Sequence, residues 1–219
     1  MSEHGPIGYF VHHQGRGHAE RAAAIANALI ETRGVTLFCA RDDIFAALDE
    51  HIVVQTIPSL FEPTGQEAPA MAALPAPDTV HCAPLGWPSI TQAFAAIAQW
   101  FAEARPALFI TDVSAELGQL ARLCSVPHVA VLQHGERSDP GHMAAYDSAV
   151  GLLAPYSERL EQHDRPAAMR RKTHYASGVG IDCSGFPDRA EARAKLGIDL
   201  QEDLVLVLAG GGGEGTPSA

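Results

Sequence analysis

Ile7-Gly8-Tyr9-Phe10-Val11, then His12-His13-Gln14-Gly15-Arg16-Gly17-His18, then Ala19 to Ile30: these residues decide the fold. An unbroken apolar run suits a strand buried on both faces of a parallel sheet. Ala22, Ile25, Ala26, Leu29 and Ile30 recur at the spacing of one helix face, so the helix packs back onto the strand. Gly15 and Gly17 let the chain turn sharply between the two. His18 is thereby left near the helix N-terminus at the carboxyl edge of the strand, where open α/β sheets hold their ligands.

The alternation continues. Val35 to Cys39 reads as a strand, Ile44 to Leu48 as a short helix and Val53 to Ile57 as a third strand, which makes a βαβαβ unit. From Pro58 to Pro88 regularity stops under seven prolines (Pro58, Pro63, Pro69, Pro75, Pro77, Pro84, Pro88); a loop that long inside a compact domain is usually functional. Phe94, Ile97, Ala98 and Phe101 share a helix face closed by Arg105-Pro106, and the strand Leu108 to Asp112 follows. A helix carrying Leu117, Leu120, Ala121 and Cys124 leads to the strand His128 to Leu132. Weaker steps are a helix near Met143 to Ala149, strand Gly151 to Ala154, a polar helix near Ser157 to His163 and strand His174 to Ser177. The expected fold class is α/β, a Rossmann-like parallel sheet with helices on both faces.

Asp188 with Glu191, and Gly197 after Leu196, bracket a short helix, Arg189 to Leu196. The apolar run Leu204 to Ala209 then enters Gly210-Gly211-Gly212-Gly213-Glu214-Gly215. A lone strand of this kind cannot bury both faces, so the expected division is one domain over 1–180 and, over 181–219, a linker with the first helix and strand of a truncated second domain.

The formal charge of -11 disfavours a nucleic-acid partner, because phosphate binding relies on clustered Lys and Arg. The tight basic group, Arg170-Arg171-Lys172, reads as a solvated face. Cys39, Cys82, Cys124 and Cys183 lie far apart with no CxxC pair, which suggests neither a disulfide framework nor a zinc knuckle. No apolar run approaches the roughly 20 residues that span a bilayer. The expectation is a soluble, cytoplasmic protein.

Gly15-Arg16-Gly17-His18-Ala19-Glu20-Arg21 after a first strand resembles the N-terminal loop of the GT-B glycosyltransferases, which have two facing Rossmann-like domains and include the plant-type nucleotide-sugar transferases. Leu196-Gly197-Ile198, the apolar run and the glycines resemble the opening of that family's C-terminal domain. The resemblance implies an acceptor-binding N-terminal half, a donor-binding C-terminal half, and transfer of a sugar from a nucleotide-sugar to an acceptor hydroxyl in the cleft between them. The nucleotide-sugar is a co-substrate, and no resident cofactor is expected.

Such transfer needs a base for the acceptor hydroxyl, and an imidazole with its ordinary pKa of about 6.5 suits the task. His18 matches the family's loop histidine. Asp112, at the carboxyl end of its strand, matches the acid that orients it in plant-type enzymes; the alternative is that Asp112 caps the following helix. His13 is the alternative base. Acceptor contacts are expected from His13, Phe61, Trp87, Gln133, His134 and Glu136, and donor contacts from Gly17, Gly210, Gly211, Gly212, Gly213 and Gly215.

No metal is expected: there is no HExxH or comparable ligand pair and no Asp-x-Asp. The histidines that would converge on a metal at one rim are His12, His13, His18, His134 and His142. A dinucleotide site with Asp42 or Asp43 as ribose partner conflicts with Glu20, whose carboxylate would compete with a pyrophosphate for the helix N-terminus. An epimerase or hydrolase on the same scaffold and a non-catalytic binding module stay open beside the transferase.

Overall fold

The computed structural model describes residues 5–135, 137–181 and 184–205. The first strand, β1 (Ile7–Phe10), turns through Gly15 into α1 (Arg16–Ile30). β2 (Val35–Cys39) and β3 (Val53–Thr56) follow, then the single turn α2 (Pro69–Ala72) and the long α3 (Pro88–Ala104). β4 (Leu108–Asp112), α4 (Ala115–Leu123), β5 (His128–Val131), α5 (Pro140–Ser148) and β6 (Gly151–Ala154) continue the alternation. α6 (Ala167–Arg171), β7 (Thr173–Tyr175) and α7 (Arg189–Leu196) complete the described elements.

All seven strands are parallel, in the order β3-β2-β1-β4-β5-β6-β7. The chain builds outward from β1 in one direction, then crosses back and builds from β4 in the other. The order therefore reverses between β1 and β4, and open α/β sheets form their ligand crevice at the carboxyl ends of the strands flanking such a reversal. Phe10 pairs with Thr111, so the loop after β1 and the end of β4 meet at one height.

Side-chain alternation sorts the core. Tyr9, Val11, Leu37 and Ile110 pack with Ala22 and Ala26 of α1, while Phe10, Phe38 and Phe109 pack with Ile97 and Phe101 of α3 and Leu117 of α4. Burying each large apolar side chain contributes about 1.5–3 kcal/mol. At Gly8 an added Cβ would stand 2.7 Å from Trp100 and 2.8 Å from Phe109, so α3 lies directly on this strand.

Three expectations change. Ile44 to Leu48 is turn and irregular chain rather than helix: the Asn27 amide donates to the Ala47 carbonyl (3.1 Å) and accepts from Asp49 N (2.9 Å), which holds the segment open. The polar helix near Ser157 to His163 shrinks to one 3-10 turn, Glu158–Leu160. Lys172 is not merely solvated, because its ammonium donates to the carbonyls of Tyr146, Asp147 and Ala149 and so closes the end of α5. From Leu206 onward, the apolar run and the glycines Gly210 to Gly213 and Gly215 lie outside the described residues, as does Glu136. The cap Asp188 accepts from Glu191 N at 2.8 Å, and Gly197 takes a left-handed φ of 69°, as expected for α7. Among the described residues no helix is long and apolar enough to cross a membrane.

Candidate functional site

The β1–α1 turn and the end of β4 bring His18, Arg21 and Asp112 together. The Asp112 side chain is 0% exposed, and a carboxylate taken wholly out of water needs compensating charge or hydrogen bonds. Arg21 supplies the charge through one nitrogen, Nη2, which reaches both oxygens at 2.7 and 2.9 Å. His18 Nδ1 lies 3.0 Å from Asp112 Oδ2 and 3.0 Å from the same Arg21 nitrogen. An unprotonated Nδ1 would turn its lone pair on the buried Asp112 carboxylate 3.0 Å away, so we assign the imidazole proton to Nδ1, donating to Asp112. That tautomer leaves Nε2 as an acceptor, and Nε2 makes no hydrogen bond among the described residues.

Asp112 is free for this role because another residue caps α4: Ser114 Oγ accepts from Leu117 N at 3.2 Å. Between the two, Val113 takes φ 67°, a left-handed conformation that a β-branched residue adopts only under local constraint. Tyr9 lies beneath the pair, fully buried, its hydroxyl without a hydrogen-bond partner among the described residues. Burial, then the Asp112 charge, hold that hydroxyl well above its usual pKa.

His18 and Arg21 open onto a cleft of about 520 Å³ that Gly15, Gly17, Leu132, Gln133, His134, Pro155 and Tyr156 also line. α1 begins at an uncapped Gly15 with no acid in its first turn, and at Gly17 an added Cβ would meet only open space. Glu20, expected to compete for this helix end, lies beyond the first turn and pairs with Arg16 at 3.0 Å, so the first-turn amides suit an anion after all. The expected residues divide accordingly. Gln133 and His134 line the cleft; His134 stacks edge-on against Tyr156, ring centroids 5.6 Å apart. Phe61 stacks on His12 at 4.4 Å, which ties the proline-rich loop to the β1–α1 turn. His13 is 6% exposed, with Nε2 3.0 Å from Glu62 Oε1. Trp87 is half-buried at the start of α3 and does not line this cleft. His12, His13 and His18 do gather, whereas His142 lies instead beside His81 and Asp139.

Arg21 and Tyr156 escape the sequence reading. Arg21 is three residues past His18 on the same helix, the spacing at which side chains meet. Tyr156 follows β6 by two residues, at the same edge of the sheet.

Burial, followed by the neighbouring His18 and His13, lowers the His12 pKa to about 4, and burial lowers that of buried His128 to about 4. An unfolded chain binds these protons from about pH 6.5. The stabilising effect is therefore complete above pH 6.5 and is lost as pH falls from there to 4, by up to about 1.4 kcal/mol per pH unit for each histidine. Urea midpoints measured between pH 4 and 7 should fall with pH, and His12→Gln and His128→Gln should each flatten the slope. A profile unchanged by either substitution would contradict the assignment.

No protein-family model matches the sequence, and no curated protein does. Solved structures do match. A glycosyltransferase from Rickettsia africae ESF-5 superimposes with a TM-score of 0.54 at 11% identity, covering 91% of this chain and 51% of that one. A UDP-glucosyltransferase from Polygonum tinctorium, in complex with 3,4-dichloroaniline, gives 0.52 at 13% identity, covering 87% and 56%. Anabaena Alr3699/HepE, solved in complex with UDP, gives 0.51 at 16% identity, covering 88% and 50%. The seven-stranded sheet and its helices share the fold of about half of each of these GT-B glycosyltransferase structures. This chain spans about half the length of those proteins. In this sheet the His18–Asp112 pair sits where the strand order reverses.

Proposed function

We propose that this chain is the acceptor-binding half of a glycosyltransferase that moves a sugar from a nucleotide donor to an acceptor hydroxyl. The observation that carries the reading is the His18–Asp112 contact of 3.0 Å, with the opposite imidazole nitrogen without a partner among the described residues, beside an open cleft. In the proposed reaction His18 Nε2 takes the acceptor proton as the acceptor oxygen bonds to the anomeric carbon. The bond from that carbon to the donor phosphate breaks, and the nucleoside diphosphate leaves with the electron pair. Asp112 holds the ring in the required tautomer and faces the imidazolium that forms, the logic of a base oriented by a carboxylate. Arg21 is a positioning residue, acting through Asp112.

The free amides at the start of α1, with Gly17, are assigned to the donor side. Gly210 to Gly213 and Gly215 belong there too in this reading, with 1–180 as the acceptor domain and 181–219 as the opening of the donor domain. Acceptor contacts are assigned to Phe61, Gln133, His134, His13, Trp87 and Glu136, of which Gln133 and His134 line the cleft. The nucleotide-sugar is consumed as a co-substrate. UDP-sugars are the first donors to test, since one similar structure is of a UDP-glucosyltransferase and another holds UDP.

The test is product analysis on the complete gene product, supplied with labelled UDP-sugars and a panel of hydroxyl compounds. A labelled conjugate formed only when acceptor is present is the expected result. An epimerised nucleotide-sugar or free sugar formed without acceptor would replace the transferase reading with an epimerase or hydrolase.

A further inference from the structure

We propose that His81, Asp139 and His142 form a binding site for one divalent transition-metal ion, zinc by preference, which fastens the proline-rich loop to α5. His81 belongs to the loop after β3, while Asp139 and His142 open α5. His142 Nδ1 stands 2.6 Å from Asp139 Oδ2, and His81 Nδ1 stands 3.4 Å from Asp139 Oδ1. One ligand atom from each residue falls within a 4.8 Å cluster. Tetrahedral zinc at about 2.1 Å from each ligand separates the ligand atoms by roughly 3.4 Å. Shifts of under about 1 Å would therefore admit the ion. Two imidazoles and a carboxylate are the donor set that zinc and its neighbours favour over magnesium or calcium.

Helix capping explains only part of this arrangement. Asp139 caps α5 by accepting from His142 N at 3.2 Å, which accounts for those two residues. It does not account for a third side chain, from a segment more than fifty positions earlier, turned onto the same carboxylate. The approach of that segment is built. Glu116, buried on α4, accepts from His81 N at 2.7 Å and Cys82 N at 2.6 Å, fixing the loop backbone. Opposite, an added Cβ at Gly141 would stand 2.9 Å from His81 N, so only glycine lets the loop come this close. The His142 side chain is 5% exposed and that of His81 49%, which leaves the outer side open to a fourth ligand from water.

The proposal is independent of the transferase reading, and its test needs no activity. The metal-free chain is titrated calorimetrically with Zn²⁺, and with Co²⁺ as an optical probe. One equivalent should bind, and Tm should rise by about 5 °C at roughly 100-fold over Kd. The cobalt spectrum should lack a thiolate charge-transfer band, since Cys82 Sγ is outside the ligand cluster. His81→Ala changes a half-exposed side chain, and Asp139→Asn keeps its shape; each should weaken binding by at least about 10-fold. Absence of saturable binding, or binding unchanged in both variants, would overturn the site.

Discussion

Replacing His18 by alanine in the complete gene product should lower kcat by about 10²–10⁴-fold, the usual contribution of a positioned general base, with little change in KM. The argument rests on which imidazole nitrogen is free. Nδ1 is committed to Asp112 at 3.0 Å, and Nε2 is left to receive a proton from the cleft. Asp112→Asn tests the same point without removing the base. The asparagine amide can donate to Nδ1, forcing the proton onto Nε2 and presenting a donor where an acceptor is needed. A loss approaching that of His18→Ala is then expected, as for carboxylate-to-amide changes beside catalytic histidines. Steady-state kinetics on both variants, with far-UV circular dichroism to verify folding, make the measurement. A His18→Ala enzyme that turns over at the parental rate would remove His18 as the base, and Asp112→Asn alone at the parental rate would remove the tautomer argument.

The parts of this site legible in the sequence are those that strand chemistry dictates. Val35–Cys39, Leu108–Asp112 and Gly151–Ala154 coincide with their expected spans, because apolar runs buried in a parallel sheet have few other places to go. Asp112 could be placed at the cleft edge for that reason, and His18 through the glycine turn. Ile44, Phe45 and Leu48 carry a helical spacing but form no helix, since a segment this short between acidic residues gains too few hydrogen bonds to offset nucleation. Arg21 was hidden differently. An arginine in a first helical segment reads as solvated, and only the pairing of β1 with β4 brings a buried carboxylate to it. The meeting of His81 with Asp139 is invisible to any local period, because the proline-rich loop that carries His81 reports nothing about where it folds back.

Asp112→Ala should cost about 3 kcal/mol of stability, at the lower end of the range for breaking a buried ion pair, because the Arg21 side chain keeps 14% of its surface in contact with water. Alanine removes the acceptor of two Arg21 contacts and one His18 contact, and leaves a guanidinium without its counter-charge. Arg21→Met should cost a similar amount for the mirror-image reason: the carboxylate, 0% exposed, keeps only His18. The double variant, Asp112→Ala with Arg21→Met, strands neither charge and should lose less than the sum of the singles, by about 1–3 kcal/mol of coupling. Urea midpoints at constant m-value give all four corners of the cycle. Additive losses would mean that water screens the pair and that Arg21 is a bystander. The double variant also separates two uses of one carboxylate. Restored stability without restored turnover would assign Asp112's catalytic contribution to orienting His18, and its structural contribution to neutralising the arginine beside it.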